Sequence, residues 1–358
     1  MLSDKIKFIY VHCNTLGVNT LSAGTKSDQI RNNQMSLQSL ISLTKSDMER
    51  VNQFILSMAK SEVEMIPEIS NHLISSGGKR LRPMITLASA HMFGYQGDGH
   101  IKLATAVEFM HTATLLHDDV IDESNLRRGK STARMIWGNQ ASVLVGDFLL
   151  GQAFKMMVDV ASIEALSVLA NAAAIIAEGE VMQLSAANNI ETSTSDYLKI
   201  INAKTAALFS AAAEVGPIIA GYTDKERSAL REYGTFLGLA FQLIDDALDY
   251  GGTSQNLGKN IGDDFREGKI TMPVILAYTR SNTVEKTFWK EALENSNNND
   301  EAFAHAQDLI KKYDSLIDTI EQARVYGQRA INALTSMNKS PTYNALIETV
   351  NFCIARVN

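Results

Sequence analysis

The chain has 358 residues, a formal net charge of −7 and 45% hydrophobic residues, enough to bury a substantial core in one large domain or two ordinary ones. The negative charge argues against a nucleic-acid-binding protein that uses a general basic surface. The two cysteines, Cys13 and Cys353, lie near opposite ends without metal-type spacing, which favours a reducing compartment. We therefore expect a cytoplasmic protein.

The first 35 residues show no helical periodicity. Their longest apolar stretch, Phe8 to Val11, is too short for the core of a signal peptide, and they are not arginine-rich as transit peptides are. We expect residues 1–35 to be a disordered extension, or translation to begin at Met35. No apolar run approaches the roughly 18 residues that a membrane span needs, so no transmembrane segment is expected.

From about Ser36 onward, apolar residues recur at three- and four-residue steps, which indicates helices, and no alternating strand of useful length is found. Helices are predicted at about 101–122, 139–159, 162–186, 195–221, 226–250, 270–280, 301–336 and 340–357. Gly77 and Gly78 end an earlier helix, and Pro83 lies just inside the next. The charged, glycine-rich stretch 251–268 is long enough to be a lid. The sequence predicts one all-α domain over residues 36–358.

Two clusters of carboxylates lie at the C-terminal ends of apolar helices. Each has three aspartates at positions i, i+1 and i+4, namely Asp118, Asp119 and Asp122, and then Asp245, Asp246 and Asp249. In each cluster the first and third aspartates lie one turn apart on one face of the helix. Carboxylates are unfavourable at this end because the helix dipole is also negative there. One such cluster could be a solvated helix end, but two copies indicate bound cations.

All-oxygen clusters without cysteine or a histidine pair suit hard cations, above all Mg²⁺. Magnesium usually completes its octahedron with water and substrate phosphates, so the substrate is expected to be a phosphate or diphosphate ester. Basic residues near glycine turns and within the helices supply counter-charges, namely Lys79, Arg80, Arg82, Arg127, Arg128, Lys130, Lys204, Lys259 and Lys269. Glu108 and His111 have the Glu-x-x-His spacing of di-iron bundles, but the second copy that such proteins need is missing.

These motifs resemble those of the trans-isoprenyl diphosphate synthase family, from about Leu40 to the C-terminus. The two Asp-Asp-x-x-Asp motifs stand at 118–122 and 245–249, and the Gly-Gly-Lys-Arg-x-Arg-Pro signature at 77–83. Residues 111–119 and 146–148 are similar to those of the long-chain branch of the family, which includes octaprenyl and decaprenyl diphosphate synthases. The resemblance implies an all-α bundle around a central cavity, usually a homodimer. Such enzymes join isopentenyl diphosphate head-to-tail to an allylic diphosphate, for example farnesyl diphosphate.

The resemblance also implies roles for individual residues. Mg²⁺ would be bound by aspartates of both motifs, namely Asp118, Asp119, Asp122, Asp245 and Asp249. Isopentenyl diphosphate would be held by Lys79, Arg82, His111 and Arg128. The allylic diphosphate would contact Arg127, Lys204 and Lys269. Thr205 and Gln242 would face the developing cation. Lys259, in the stretch 251–268 that is expected to close over the site, is a further candidate for binding substrate.

The helix that carries Asp118 indicates a long product. Ala113 and Thr114, one turn before Asp118, are small, so the cavity is expected to continue past Met110 and Val107. Because one helical turn rises about 5.4 Å, close to one isoprene unit, we expect about eight to ten units, or about C40–C50, for a quinone side chain. A short-chain farnesyl or geranylgeranyl diphosphate synthase is the alternative. A non-catalytic subunit of a heteromeric synthase and a terpene cyclase are disfavoured, because both clusters are intact and rich in aspartate.

Overall fold

The computed structural model describes residues 36–75, 77–251, 261–295 and 297–357. In these ranges the chain forms helices joined by short connections and one small antiparallel hairpin, in which Leu126–Arg127 (β1) pairs with Lys130–Ser131 (β2). The all-α prediction is confirmed. The predicted N-terminal extension and residues 252–260 of the stretch 251–268, Lys259 among them, lie outside the described residues.

The helices follow one another along the chain with these bounds: α1 Gln38–Met58, α2 Met65–Ser75, α3 Leu81–Met92, α4 Gly99–Ile121, α5 Ala133–Trp137, α6 Asn139–Asp159, α7 Ile163–Ala186, α8 Thr194–Ile201, α9 Ala207–Ile219, α10 Asp224–Gly251, α11 Asp263–Arg266, α12 Met272–Arg280, α13 Thr283–Leu293, α14 Asp300–Lys312, α15 Ser315–Ala333 and α16 Pro341–Ala355. A π-helical turn at Asn202–Ala206 joins α8 to α9.

Beyond shifts of a few residues at helix ends, three regions depart from the sequence prediction in how helices are divided or added. The window 301–336 is two helices, because the chain turns at Asp314, whose φ of 52° is left-handed. The window 195–221 is interrupted by the π turn. Helix α13 was not predicted, although Asn282 and Glu285 form a capping box that marks its start in the sequence.

Two hydrophobic cores meet at α10. One contains Phe109, Phe209 and Tyr233 among α4, α9 and α10, and the other contains Trp289 and Phe265. Full burial of each large apolar side chain contributes about 1.5–3 kcal/mol. Since α10 packs into both cores, the aspartates at its C-terminal end are held rigidly.

Two glycines let α10 approach the preceding segment at backbone distance. A Cβ at Gly234 would lie 2.4 Å from the carbonyl oxygen of Phe209, and one at Gly238 would lie 2.5 Å from the Cα of Ala206. Any larger residue would force these backbones apart, because real Cβ atoms do not approach so closely. The close packing places the π turn directly beside the helix that carries the second aspartate motif.

The sequence predicted no apolar run long enough for a membrane span, but α6 and α7 are candidates by length and composition. Each contains an 18-residue window of mean hydropathy 1.4, long and apolar enough for a membrane span, with 44% and 28% of the window buried, respectively. Length and composition alone are weak evidence for a span, because core helices of soluble proteins pass the same test.

Candidate active site

The first aspartate motif lies at the C-terminal end of α4 and divides into two environments. Asp118 and Asp122 face two lysines: Asp122 Oδ2 lies 2.7 Å from Lys269 Nζ, and Asp118 Oδ2 lies 3.7 Å from Lys204 Nζ. Asp119 instead is fully buried and pairs with Arg127, whose Nε and Nη2 lie 2.8 and 2.7 Å from its Oδ1. Asp118 and Asp122 therefore face the two lysines, and Asp119 anchors Arg127 of the hairpin.

Each of the two lysines forms ion pairs with two carboxylates. Lys204, in the π turn, also donates to Glu180 Oε2 at 2.7 Å, and Lys269 donates to Glu267 Oε2 at 2.6 Å. Burial alone would lower the pKa of Lys269, but the facing carboxylates, Asp122 above all, outweigh burial and raise it. Lys269 is therefore protonated at neutral pH and offers a fixed positive charge.

The second motif, on α10, is mostly engaged within the protein. Asp246 is 2% exposed and accepts hydrogen bonds from Tyr197 Oη at 2.5 Å and Gln242 Nε2 at 2.7 Å. Burial raises the pKa of Asp246 to about 8. Asp249 accepts from the backbone N–H of Asp264 at 3.1 Å. Asp245 is more open, with its side chain 33% exposed and Arg356 Nη1 at 2.6 Å.

A chain of hydrogen bonds and ion pairs connects the motifs. Thr205 donates to Gln242 Oε1 at 2.7 Å, and Gln242 in turn donates to Asp246. Lys204, adjacent to Thr205 in the π turn, reaches Asp118 on the other side. The two motifs therefore border a shared site rather than separate surfaces. π-helical turns often occur at functional sites, and this one brings two consecutive polar side chains into the centre.

The signature at 77–83 forms a basic wall near His111. Lys79 lies 4.5 Å above the Phe352 ring, and Arg82 lies 4.3 Å above the Phe209 ring. Burial lowers the pKa of Arg82 to about 10, so it remains charged at neutral pH. Burial, together with nearby Arg82 and Arg128, holds the pKa of His111 well below its ordinary value, so its imidazole is neutral.

Position 78, just before this wall, requires glycine for two reasons. Its φ is 146°, and an added Cβ would lie 2.5 Å from Nη1 of Arg128. Only glycine allows the guanidinium to lie against the backbone here. The contact ties Arg128 to the backbone of the signature. Arg82 and Arg128 are both near enough to His111 to lower its pKa, and Lys79 extends the wall toward Phe352. That these four residues bind isopentenyl diphosphate stays a prediction.

A cavity of about 240 Å³ opens beside the first motif, between α4, α6 and α7. Its lining is polar near the carboxylates and apolar elsewhere, and comprises Met110, Ala113, Thr114, His117, Asp118, Ile121, Leu150, Ala173, Ile176, Ala177 and Glu180. Met110, Ala113 and Thr114 thus line the cavity, as expected. Val107, which was expected to line its deeper part, is fully buried in the core and is not part of the wall.

Comparison with known proteins identifies the family. Residues 63–310 match the family model described as Polyprenyl synthetase. The chain belongs to the polyprenyl synthetase family. It is 43% identical over 277 residues to the octaprenyl diphosphate synthase of Escherichia coli K12, covering 77% of this chain and 85% of that protein. It is 38% identical over 279 residues to an all-trans-nonaprenyl-diphosphate synthase of Rhodobacter capsulatus, covering 78% and 85%.

Solved structures of the family superpose on most of the chain. A polyprenyl synthase of Caulobacter crescentus, complexed with calcium and isoprenyl diphosphate, has a TM-score of 0.88 and 48% identity, covering 90% of this chain and 98% of that one. A decaprenyl diphosphate synthase of R. capsulatus has a TM-score of 0.86 and 47% identity, covering 90% and 100%. The predictions of the family, the isoprenoid-synthase fold and a prenyltransferase are confirmed.

The carboxylates of this polyprenyl synthetase suit a divalent cation. Asp118 Oδ1, Asp119 Oδ2 and Glu180 Oε1 are buried and accept no hydrogen bond within the described part of the chain. A buried carboxylate oxygen without a donor is costly, and a hard cation would satisfy it. The donor set, composed of oxygens with lysines around it, fits such an ion together with a phosphate-bearing substrate.

Three residues of the site were missed in the sequence. Glu180 pairs with Lys204, Tyr197 donates to Asp246, and Arg356 pairs with Asp245. Glu180 had a signal, because a carboxylate within the apolar helix α7 needs a partner. Tyr197 and Arg356 had none, because each meets its partner only through the tertiary fold.

Proposed function

We propose that this enzyme condenses isopentenyl diphosphate head-to-tail with an allylic diphosphate, in a Mg²⁺-dependent reaction, to give an all-trans polyprenyl diphosphate of about C40–C50, each added unit spanning about one helical turn of the cavity. The observation that carries the proposal is the arrangement at α4, where lysines and buried carboxylate oxygens without donors stand at the head of an apolar cavity.

Asp118, Asp122 and Asp245 would hold the magnesium, because they are the motif aspartates whose side chains are most exposed. When bound, Mg²⁺ supplies Lewis-acid stabilisation of the diphosphate leaving group. The calcium in the Caulobacter relative supports a divalent ion in this family. Asp119 and Asp249 remain predicted ligands, although their described partners are Arg127 and the Asp264 backbone.

The protein's own charges would separate the two substrates. Lys204 and Lys269 face the first motif and would neutralise the departing allylic diphosphate, whose C–O bond ionises. The basic wall, with Lys79 and Arg82, would hold isopentenyl diphosphate, and neutral His111 would donate a hydrogen bond to it. The double bond of isopentenyl diphosphate then attacks the allylic cation, and a proton is lost from the new alkyl chain, with the released diphosphate as the acceptor.

Thr205 and Gln242 would stabilise the allylic cation. The amide nitrogen of Gln242 is committed to Asp246, and this fixes the direction of its carbonyl oxygen, which accepts from Thr205. An amide oxygen with a second lone pair in a water-poor site can stabilise developing positive charge. The apolar lining of the cavity limits the water that would otherwise trap the cation as an alcohol.

The cavity supports a long product. Ala113, Ala173 and Ala177 give it a wall of small residues, so an elongating chain meets no bulky side chain one turn below Asp118. Octaprenyl, nonaprenyl and decaprenyl diphosphate synthases are among the similar proteins, which favours this length and a quinone side chain as the product's destination. Geranylgeranyl diphosphate synthases are also similar, at up to 36% identity among those compared.

A product assay tests the proposal. Purified protein is incubated with farnesyl diphosphate, isopentenyl diphosphate and Mg²⁺, and the dephosphorylated products are separated by chromatography. We expect polyprenols of about C40–C50, the length set by the helix-turn spacing along α4. Products that end at three or four units would establish the short-chain alternative, and absence of product from folded protein would establish a non-catalytic subunit.

Ala113→Phe tests the role of the cavity wall. A phenyl ring at this position would block the cavity one turn below Asp118, so we expect shorter products at similar turnover. Ala304→Phe, on the exposed face of α14, is the matched control and should leave product length unchanged. Unchanged product from Ala113→Phe would show that this residue does not set the length.

The exposed faces of α6 and α7 support a homodimer. Both helices carry large apolar side chains on the surface, namely Leu144, Val158, Ile163, Val181 and Leu184. Contiguous exposed apolar surface is typical of an interface. We expect the protein to be recovered in the cytoplasmic fraction without detergent. Sedimentation of the purified protein should then show a dimer, and Val181→Asp should dissociate it. Recovery only with detergent would instead favour lipid as the partner of this surface.

A further inference from the structure

A second cluster of metal-ligating side chains lies far from the aspartate motifs. Asp47 on α1, His91 on α3 and His100 on α4 converge, with both Nε2 atoms on the same carboxylate oxygen: His91 at 2.6 Å and His100 at 2.9 Å from Asp47 Oδ2. All three ligand atoms lie within 4.8 Å of one another. His100 is in the first turn of α4 and Asp118 in the last, so about 27 Å of helix separates them at 1.5 Å per residue.

We propose that Asp47, His91 and His100 form a binding site for a transition-metal dication, zinc first, distinct from the magnesium site. Two imidazoles and one carboxylate suit zinc, which commonly takes three protein ligands and a water. Magnesium prefers oxygen ligands and would not compete for two imidazoles. The site is independent of the prenyl-transfer chemistry proposed above.

The surroundings leave one carboxylate oxygen available to the metal. Arg50 Nη1 lies 3.3 Å from Asp47 Oδ1, so the guanidinium holds that oxygen and turns Oδ2 toward the histidines. Arg50 also pairs with Asp98, which offsets its charge. Burial raises the pKa of Asp47, but hydrogen bonds from both histidines outweigh burial and lower it, so the ligand is ionised at neutral pH.

The cluster is enclosed but accessible from one side. The side chains of His100 and Asp47 are 6% and 14% exposed, whereas that of His91 is 29% exposed and borders solvent. A metal can therefore enter past His91 and then be held against two nearly buried ligands. Burial of most of the cluster also favours coordination over hydration of these groups.

Only small movements are needed for coordination. Zinc lies about 2.0–2.1 Å from nitrogen and about 2.0–2.2 Å from oxygen, so tetrahedral ligand atoms stand roughly 3.4 Å apart. The two histidine nitrogens lie 2.6 and 2.9 Å from Asp47 Oδ2, each shorter than this value by less than about 1 Å, so each would move outward by that amount to admit the ion. Coordination through Nε2 moves the remaining proton to Nδ1, and the Nδ1 of His100 is buried with no hydrogen-bond partner in the described ranges. We therefore expect weaker binding than at sites whose histidines have a carbonyl or carboxylate acceptor.

A metal here would connect three helices that frame the chemistry. Helix α3 follows the basic wall, α4 ends in the first aspartate motif, and α1 packs against both. A ligand that binds the folded chain raises its stability, so metal binding should protect this part of the bundle against unfolding.

The experiment measures metal binding directly. Protein stripped with a chelator is placed in excess Mg²⁺ to occupy the aspartates, and Co²⁺ is then added while the visible ligand-field absorption is recorded. Zn²⁺ follows as a competitor and in a calorimetric titration. We expect one equivalent per chain, a four-coordinate cobalt spectrum that zinc removes, and a Tm increase of a few degrees with zinc.

Variants assign the binding to the cluster. His91→Gln and Asp47→Asn should each lose the cobalt spectrum and the zinc-dependent rise in Tm. His305→Gln, an exposed histidine on α14, is the matched control and should keep both. Because His91 is the most exposed ligand, its variant is the one expected to fold normally, as checked by circular dichroism.

Two results would overturn the site. Metal uptake that persists in His91→Gln, or that excess Mg²⁺ abolishes, would place the ion on the aspartates. Folded protein that takes up no Co²⁺ or Zn²⁺ would show that the three residues are only a hydrogen-bonded triad. Prenyl transfer is not a readout, so failure of the proposed function would not affect either conclusion.

Discussion

The two aspartate motifs have the same spacing in the sequence but different surroundings in the fold. In the first, Asp118 and Asp122 face lysines, and Asp118 has a buried oxygen without a hydrogen-bond donor. In the second, Asp246 is enclosed by Tyr197 and Gln242, with its pKa raised to about 8 by burial. The same three-aspartate pattern thus faces lysines and keeps an oxygen without a donor in one place, and is held mainly by neighbouring side chains in the other.

The difference indicates that two copies of one motif can have different roles in the same site. Carboxylates at the first motif retain free lone pairs for a cation, whereas those at the second orient other groups, except for Asp245. The second motif fixes Gln242, and Gln242 is the link to Thr205 and the π turn. We therefore expect substitutions in the first motif to affect catalysis and those in the second to affect both stability and catalysis.

The largest effect is expected for Asp118→Asn. It removes a charge from the side of the site where the cation and leaving group would meet, so kcat should fall by about 10²–10³-fold, as for loss of one preorganised electrostatic contact. Its Tm should stay the same or rise, because a buried carboxylate without a donor is lost. Asp159→Asn, at the exposed end of α6, is the control. Wild-type turnover with Mg²⁺ would contradict the comparison.

Tyr197→Phe tests the scaffold role of the second motif. It leaves a buried oxygen of Asp246 without its donor, which should cost about 1–3 kcal/mol in the free energy of unfolding. Because Gln242 is then less firmly oriented, kcat should fall about tenfold, or about 1.4 kcal/mol of transition-state stabilisation, with KM for both substrates unchanged. Unfolding in urea and steady-state kinetics measure the two effects.

Tyr222→Phe, at an exposed tyrosine, is the control for loss of a hydroxyl group. If Tyr197→Phe lowers stability but leaves kcat unchanged, the hydrogen bond to Asp246 is only structural. If it changes neither, the second motif is as open as the first, and the division of work between them is wrong.

The residue pattern alone predicted the parts of the site that are local in the chain, whereas roles for distant residues such as Lys204 and Lys269 followed from the family resemblance. Each Asp-Asp-x-x-Asp motif is contained in two helical turns, and the basic wall in seven residues, so periodicity and spacing were sufficient. Tyr197 and Asp246 are 49 residues apart, and only the packing of α8 against α10 brings them together. No local pattern could show that Asp246 is scaffold while Asp118 is open.

The fold was predictable to a similar degree. The sequence predicted α6 at about 139–159, the range observed. The break at Asp314 was not predicted, because no glycine or proline marks it and an aspartate adopts the left-handed conformation. Likewise, the π turn depends on close contact with α10, which a single segment does not encode.

Arg356→Gln sharpens the comparison at the one open aspartate of the second motif. The arginine lies on Asp245 and would compete with Mg²⁺ for it. Since a partly exposed ion pair contributes up to about 1 kcal/mol, its loss should lower the half-saturating Mg²⁺ concentration by up to about fivefold. Arg324→Gln, an exposed surface arginine of α15, is the control, and an unchanged or higher Mg²⁺ requirement for Arg356→Gln would show that the ion pair does not limit access.

The smallest effect expected is the part of the pH dependence of stability that comes from Asp246. Since burial raises the pKa of Asp246 from 3.8 to about 8, the folded chain keeps a proton that the unfolded chain releases. The stability from this proton is full below about pH 4 and is lost as the pH rises toward 8. In chelator, the free energy of unfolding of Asp246→Asn should therefore fall less between these pH values than that of the wild type. Parallel curves for the two proteins would mean that Asp246 is ionised in the folded chain.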